Sequence, residues 1–256
     1  MLREIFSRRW LLASVLVLAA ATVMVRLGIW QLDRMAQRQV FNARVQQQLS
    51  ADPLILDEHP LESDLYSMEY RQVTVTGTYL PDDEIVLRNQ IWEGEFGTEF
   101  GVALFTPLLI EGTNRAILVE RGWIPQEKAA LDSRAVYREN GVVTLTGRLR
   151  RAETDFNINA WLHPDPELIS NQSRLDSWNN LDLERISSQM KTSLLPVYLQ
   201  LTPDGEQSAP PYPIQPEIDL SEGPHLGYAI QWFTFATLLL VGYPFYVERQ
   251  GSKIKQ

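Results

Sequence analysis

The chain has 256 residues, no cysteine and a formal net charge of −9 at neutral pH. The missing cysteine excludes disulfides, thiolate redox chemistry and cysteine-ligated metal sites. The charge is unequally distributed, because residues 10–247 hold 17 Lys and Arg against 30 Asp and Glu, while each tail carries +2. An acidic body of this kind repels phosphate, which excludes nucleic acid as a partner.

Residues 10–29 form an apolar segment that follows a basic start and contains one charge, Arg26. The basic start, the apolar stretch and the three alanines at 19–21 also fit a cleaved signal peptide. The apolar residues continue to the roughly 20 positions that a membrane-spanning helix needs, which favours a permanent anchor. Residues 30–50 are polar with interspersed apolar positions and lack Gly and Pro, which predicts a helix continuing outward from the span.

Residues 51–201 are dominated by strand patterns, with short strands separated by turn residues. Strands are predicted at 71–77, 84–88, 100–110, 115–120, 142–149 and 195–201, and short helices at 126–135 and 181–189. The turns at 81–83 and 111–114 indicate two hairpins. The predicted fold class is membrane α plus soluble β: two transmembrane helices flank an antiparallel β-rich domain, a barrel or a sandwich, with minor helices.

Prolines recur at 202–224, which predicts an extended linker that returns the chain to the membrane. Residues 226–247 are uncharged and predict a second transmembrane helix, with aromatic residues near both ends. Basic residues outside both spans place both termini in the cytoplasm and the large loop in the periplasm of a bacterial inner membrane. Arg34, Arg38 and Arg44, beyond the first span, oppose that orientation.

If both segments span the membrane, two polar-aromatic motifs meet in one interfacial layer. The first span ends in Trp30, Gln31 and Arg34, and the second begins with His225, Tyr228, Gln231 and Trp232. Imidazole is a usual axial ligand of haem iron, but His, Tyr and Trp also start membrane helices without any ligand, so both interpretations stay open. A Gln inside a span needs a partner, which a helix, a lipid headgroup or a cofactor supplies.

The other candidate residues favour simpler roles. His59 and His163 stand beside prolines and are interpreted as exposed loop residues, and no zinc-binding pair of histidines occurs. Arg121-Gly122-Trp123 closes a strand and is typical of a turn with a packed Trp. No Gly-x-Ser-x-Gly, P-loop or dinucleotide-binding motif is present, and the chain is not predicted to be an enzyme.

Three motifs together resemble the surfeit locus protein 1 family of cytochrome c oxidase assembly factors. In chain order they are Gly28-x-Trp30-Gln31-x-x-Arg34, Val119-x-Arg121-Gly122-Trp123-x-Pro125 and His225-Leu226-Gly227-Tyr228-Ala229-x-x-Trp232. Further positions that look like the family are Gly77, Tyr79, Arg88, Asn89, Gly97, Trp178 and Asp182. The chain departs from the family at Arg38, where Lys is frequent, and at Glu120, where Asn is frequent.

The resemblance implies an assembly factor for the haem-copper oxidase that assists haem a insertion or subunit I maturation at the outer face of the inner membrane. It implies transient binding of haem a, with His225 as the iron ligand and with Tyr228, Gln231, Trp232, Trp30, Gln31 and Arg34 around it. The implied partners are oxidase subunit I, other assembly factors, haem a synthase and membrane lipid. A scaffold of the oxidase that binds no haem and a membrane-tethered envelope sensor are the alternatives.

Overall fold

The computed structural model describes residues 7–61, 64–94, 97–152, 162–165, 174–203, 205 and 209–254. Arg3 and Lys255, two of the basic residues outside the predicted spans, lie outside these ranges. The chain forms two compact units. The helix unit consists of Met1–Arg44 with Ile218–Gln256, and the barrel unit consists of Val45–Glu217.

The helix unit is built on two long apolar helices, α1 at Leu11–Leu49 and α3 at His225–Ile254. Leu11–Leu49 and His225–Gln250 are each long and apolar enough to cross a membrane, and most of their apolar residues are exposed. The core helix of a soluble protein would bury these residues. At about 1.5 Å per residue, α1 is about 58 Å long and exceeds the ~30 Å hydrocarbon core of a bilayer. The protein is therefore a membrane protein with two candidate spans.

The two long helices pack through small residues that recur every seventh position. Ser14, Ala21 and Gly28 are buried on α1, and Ala229 and Ala236 are buried on α3. This spacing is typical of left-handed helix pairs, and small residues allow two membrane helices to approach closely. The closest approach is at Gly28, where an added Cβ would lie 2.7 Å from the Phe233 ring. At the other end of the pair, the Ser14 hydroxyl lies 2.8 Å from the Tyr243 hydroxyl.

In the part of the chain that the structure describes, the barrel unit is a closed ring of five strands, to which further strands are paired. In chain order its elements are β1 Leu54–Ile55, β2 Gln72–Tyr79, β3 Ile85–Gly94, β4 Gly97–Ile110, β5 Arg115–Pro125, β6 Val142–Arg150, β7 Ser177–Trp178, α2 Leu183–Ser187 and β8 Ser193–Leu201. The ring runs β2, β6, β8, β5, β4 and back to β2, because β2 pairs with both β6 and β4. Five-stranded Greek-key barrels of this kind form the OB class.

The predicted fold class is confirmed: an apolar helix stands at each end of the chain, around a β-rich domain with minor helices. The predicted hairpin at 111–114 is formed by β4 and β5. The hairpin predicted at 81–83 is wrong, because that short 3-10 turn leads into β3, which pairs with β4 and β7. Three pairings are parallel, including β5 with β8, and parallel neighbours need a crossover that local alternation does not reveal.

The two glycines at matching places in β2 and β6 mark where the ring closes. At Gly77, β2 begins to pair with β4 while it is still paired with β6, and at Gly147, β6 begins to pair with β8. A Cβ on either glycine would lie 2.3 Å from a backbone oxygen of the neighbouring strand. Each glycine therefore allows a close approach of two backbones in the barrel.

The barrel core is apolar and continues beyond the ring. Inside the ring lie residues that include Val73, Val75, Leu108, Ile117, Val119, Leu149, Val197 and Leu199. The outer faces of β4 and β5 are also buried, because Trp178 of β7 and Leu183 and Ile186 of α2 pack on Phe105 and Leu118. In the OB class the second and third barrel strands carry the ligand-binding face. Here the corresponding strands, β4 and β5, are covered by the chain's own elements.

Candidate functional site

His225 begins α3, and its ring contacts the end of the motif on α1. Nδ1 of His225 lies 2.8 Å from Oε1 of Gln31, and both side chains are partly buried. An amide oxygen only accepts hydrogen bonds, so this contact is a hydrogen bond in the neutral tautomer that carries its proton on Nδ1. Nε2 then keeps a free lone pair. Histidines that bind metals have this arrangement, in which the second ring nitrogen donates to a fixed acceptor.

The other five predicted site residues lie on different faces of the two helices. Trp30 is 49% exposed, and the exposed Arg34 donates to Gln37 of its own helix, with 3.0 Å between Nη1 and Oε1. On α3, Tyr228 and Gln231 are exposed, while the Trp232 ring packs edge-on against Phe235. Successive helix residues point about 100° apart. The contacts of the described residues therefore unite His225 with Gln31, whereas the remaining five do not join them: Trp232 is half-buried, and the exposed ones are Trp30, Arg34, Tyr228 and Gln231.

Two residues of α1 hold the chain just before His225. Arg38 donates from Nη2 to the Asp219 carbonyl at 2.5 Å and from Nε to the Ser221 carbonyl at 3.1 Å. The same Nη2 lies 3.3 Å from the Asp219 carboxylate. Asn42 is 7% exposed and donates to the Leu220 carbonyl at 2.6 Å. These bonds fix residues 219–221 along α1 and so determine where α3 begins. We call these contacts the clamp.

The clamp has its own local electrostatics. The Ser221 backbone N–H donates to the Asp219 carboxylate at 2.8 Å, and this bond lowers the pKa of Asp219 below its ordinary value. Sequence reasoning did not find Arg38 or Asn42 as functional residues. The available signal was spacing, since Asn42 continues the seven-residue series of Gly28, and Arg38 lies seven residues after Gln31.

The Arg121 side chain is buried in the barrel unit, where it contacts a carbonyl, a carboxylate and an aromatic ring. Its Nη1 donates to the Tyr137 carbonyl at 2.7 Å, its Nη2 pairs with Glu139, and the guanidinium lies 4.8 Å from the centre of the Tyr79 ring. A second carboxylate, Glu84, lies 4.0 Å away. Burial raises the pKa of Tyr79 to about 12 and also raises the pKa of Glu84. This network stabilises the barrel wall.

The next two motif residues attach the proline-rich segment to the barrel. Gly122 has φ of 131°, and an added Cβ would lie 2.2 Å from the Tyr212 carbonyl oxygen. The backbones of Trp123 and Tyr212 exchange two hydrogen bonds, of 2.7 and 2.9 Å. The Trp123 ring is 1% exposed and stacks at 6.2 Å on both Tyr212 and Trp92. The packed Trp agrees with the sequence interpretation, but the predicted turn is wrong, because residues 121–123 lie within β5, which continues to Pro125 past a bulge opposite Leu104 and Phe105.

Glu120, where the family often has Asn, is a buried carboxylate paired across the sheet. Gln200 of β8 donates to it, with 2.9 Å between Nε2 and Oε2. Burial raises the pKa of Glu120 to about 7. A Gln at position 120, which has the same length as Glu, would form the same bond without a charge.

Other positions that resemble the family are also structural. Trp178 is fully buried, its indole donates to the Leu175 carbonyl at 3.0 Å, and Arg185 lies over its ring. Asp182 caps α2 by accepting from the Arg185 backbone at 2.9 Å. Among the described residues, no three His, Asp or Glu side chains are grouped to hold a metal ion.

Comparison with known proteins confirms the family resemblance. The SURF1 family pattern matches residues 18–237. A SURF1-like protein of Monosiga brevicollis is 29% identical over 246 residues, which are 93% of this chain and 88% of that protein. A SURF1-like protein of Rickettsia felis is 27% identical over 242 residues, 91% of this chain and 96% of its own.

A third relative carries a functional name. The cytochrome oxidase assembly protein SHY1 of Saccharomyces cerevisiae is 31% identical over 163 residues, 59% of this chain and 41% of that protein. The family match extends over most of the chain and includes the barrel and most of both apolar segments. The chain therefore belongs to the SURF1 family.

Proposed function

We propose that this protein is an assembly factor for cytochrome oxidase and does not act as an enzyme. Membership of the SURF1 family and the name of the yeast relative support this role. In the finer form of the proposal, the protein assists haem a insertion during maturation of subunit I. Other assembly factors, a haem a synthase and membrane lipid are then its further partners.

The observation that carries the finer proposal is the hydrogen bond between His225 and Gln31. Donation from Nδ1 to Gln31 leaves Nε2 of His225 free to bind the iron of haem a as cargo. Haem a is the group that supplies redox chemistry once it is in the oxidase. Gln31 holds the imidazole in one tautomer and orientation, and the aromatic rings of Tyr228 and Trp232 follow on α3. Trp30, Arg34 and Gln231 then contact lipid or partner helices from the outside of the pair.

The proposed location is a bacterial inner membrane with both termini cytoplasmic and the barrel periplasmic. The antiparallel arrangement of α1 and α3 supports it, because Ser14 meets Tyr243 at one end of the pair and Gln31 meets His225 at the other. The connecting chain therefore lies on a single side of the membrane. Bacterial relatives in Rickettsia and Mycobacterium support the setting.

The test is the absorbance of haem on the full-length protein purified from cells that make haem a. We expect His225→Ala to remove most of the Soret band. Gln31→Ala should weaken haem binding about 10- to 100-fold, because it removes the acceptor that orients the ligand. The matched control is His163→Ala, which removes a histidine of the barrel unit and should leave the spectrum unchanged.

Three outcomes would contradict parts of the proposal. An unchanged Soret band in His225→Ala would remove the ligand role. Colourless protein that co-purifies with the oxidase regardless of His225 would favour the scaffold. Normal oxidase activity and haem content in membranes from cells without the protein would favour the envelope sensor.

A further inference from the structure

A two-stranded ribbon extends beyond the rest of the barrel sheet. It consists of residues 90–94 of β3 and 97–100 of β4, and we call it the arm. β5 pairs with β4 only as far as Gly101, and β7 pairs with β3 only at Val86 and Leu87. The arm strands therefore pair only with each other among the described residues.

One face of the arm is fixed against the barrel unit by aromatic stacking. The Trp92 ring stacks on Tyr212 with 4.8 Å between ring centres and an interplanar angle of 15°. It also stacks on the buried Trp123 at 6.2 Å. Three stacked rings restrain the ribbon, so the opposite face is presented in a defined orientation before any partner binds. Such preorganisation lowers the entropic cost of association.

The opposite face exposes an apolar pair. Ile91 and Phe100 are direct cross-strand partners, and they are 53% and 73% exposed. Neighbouring residues in a strand point to opposite faces, so this pair lies on the side away from the Trp92 stack. Phe100 is the most exposed large apolar side chain in the described part of the barrel unit. Exposed aromatic anchors on rigid elements are frequent centres of protein interfaces.

The surroundings of this pair are acidic. Glu93 lies on the same face, where it accepts a 3.0 Å hydrogen bond from the Thr98 hydroxyl, and Glu99 is also exposed. The described part of the arm contains no Lys or Arg. A second copy of the arm or an anionic lipid surface would be repelled by these carboxylates. The complementary surface is an apolar pocket bordered by cations.

We propose that the arm is a docking surface for a protein of the oxidase assembly complex that presents an apolar pocket flanked by Lys or Arg outside the membrane. Phe100 and Ile91 enter the pocket, and Glu93, on the same face of the arm, pairs with its cationic rim. The inference rests on the proposed assembly role and adds a contact site to it. It is independent of His225 and of haem binding.

The experiment measures co-purification of the oxidase with the full-length protein from native membranes. Phe100→Glu and Ile91→Glu should each lower the recovered oxidase at least tenfold, whereas Phe100→Leu should keep most of it. The matched control is Val136→Glu, because Val136 is 69% exposed and belongs to a different segment of the same unit. A photo-crosslinking residue at position 100, compared with one at 136, identifies the partner subunit. Thermal unfolding of each variant checks that the fold is retained.

The outcomes separate this inference from the function it rests on. Full recovery of oxidase with Phe100→Glu would overturn the docking role and leave the assembly role standing. Equal losses with Phe100→Glu and Val136→Glu would also overturn it. Loss of self-association in Phe100→Glu would identify a second copy as the occupant and overturn the proposed one. Lack of oxidase binding by the wild-type protein, with normal oxidase in cells that lack it, would overturn the assembly role itself.

Discussion

The two units of this protein use their motif residues in opposite ways. In the barrel unit, Arg121, Gly122 and Trp123 are buried, the Arg121 guanidinium bonds the Tyr137 carbonyl, and the Trp123 backbone bonds Tyr212. In the helix unit, Trp30, Arg34 and Tyr228 are exposed, and only Gln31 and His225 bind each other. A motif shared with a family therefore indicates either packing or a site. The distinction is visible only in the contacts that each side chain makes.

The difference has a physical cause. A barrel excludes water from its wall, so a buried guanidinium such as that of Arg121 needs partners within the fold, and Tyr137 and Glu139 supply them. A membrane helix pair satisfies its own backbone, so polar side chains are needed only where the helices meet other groups. Polar residues on its surface are accordingly the better candidates for function.

The largest expected effect is the substitution Gly122→Ala, which tests how strongly the barrel depends on its motif. The added Cβ would lie 2.2 Å from the Tyr212 carbonyl oxygen, and φ of 131° is itself unfavourable for alanine. We expect the free energy of unfolding to fall by roughly 3 kcal/mol or more. Thermal unfolding of the full-length protein in detergent measures the change.

The control for this prediction separates the energetic cost of the backbone conformation from the cost of the steric clash with Tyr212. Gly112 has φ of 72°, but a Cβ added there would have no neighbour within 4 Å, so Gly112→Ala should cost only about 1 kcal/mol. Equal losses in the two variants would show that the Tyr212 contact contributes nothing. The barrel motif would then lose its assigned role in holding the proline-rich segment.

A smaller effect is expected at Glu120, through its dependence on pH. Burial raises the pKa of this carboxyl from 4.5 to about 7, so between these values the folded protein holds a proton that the unfolded chain has released. The free energy of unfolding contributed by this group therefore falls as pH rises through that window and stays low above it. Glu120→Gln should stabilise the protein at pH 8 by roughly 1–3 kcal/mol and have little effect below pH 4.5.

The measurement is the unfolding temperature of the full-length protein from pH 4.5 to 8. Gln at 120 keeps the hydrogen bond from Gln200 and does not titrate. The unfolding temperatures of the wild-type protein and the variant should therefore separate as pH rises. Glu111→Gln, an exchange at an exposed turn of the same unit, is the matched control and should give parallel curves. Parallel curves for Glu120→Gln would contradict a carboxyl that titrates near neutrality in the fold.

Much of the architecture could be predicted because its signals are local. Length and apolarity identify α1 and α3, and alternation identifies strands such as β2 and β6. The turn at 81–83 misled because the same turn residues also interrupt a chain that continues in one direction: β2 and β3 both pair antiparallel with β4, at residues 108–110 and 97–105. Ring closure and the parallel pairing of β5 with β8 depend on contacts between distant residues, which no local pattern encodes.

The sequence predicts that the candidate site residues lie at one depth in the membrane. It does not predict which of their side chains contact each other. Two spans of known length bring Gln31 and His225 to one depth, although 194 positions separate them. Which face Trp30 or Arg34 occupies depends on the rotation of α1 against α3, which Gly28 and Phe233 determine by packing. The clamp could not be predicted, because it depends on where residues 219–221 cross α1.

The smallest expected effect concerns this clamp. It tests whether the contacts of residues 219–221 with α1 position His225 at the start of α3. Asn42→Ala leaves the Leu220 carbonyl without its buried donor, so local opening of residues 218–224 should become about fivefold more frequent, equivalent to ~1 kcal/mol. Arg38→Gln should give a smaller increase, since Arg38 is partly exposed. Hydrogen exchange of the full-length protein, followed by mass spectrometry, reports the opening of this segment directly.

Arg34→Gln is the matched control, because the hydrogen bond of Arg34 in the described part of the chain lies within α1. Exchange that rises equally in Arg34→Gln and Asn42→Ala would mean that the clamp does not position His225, whereas unchanged exchange in the barrel would confine the effect to the helix unit.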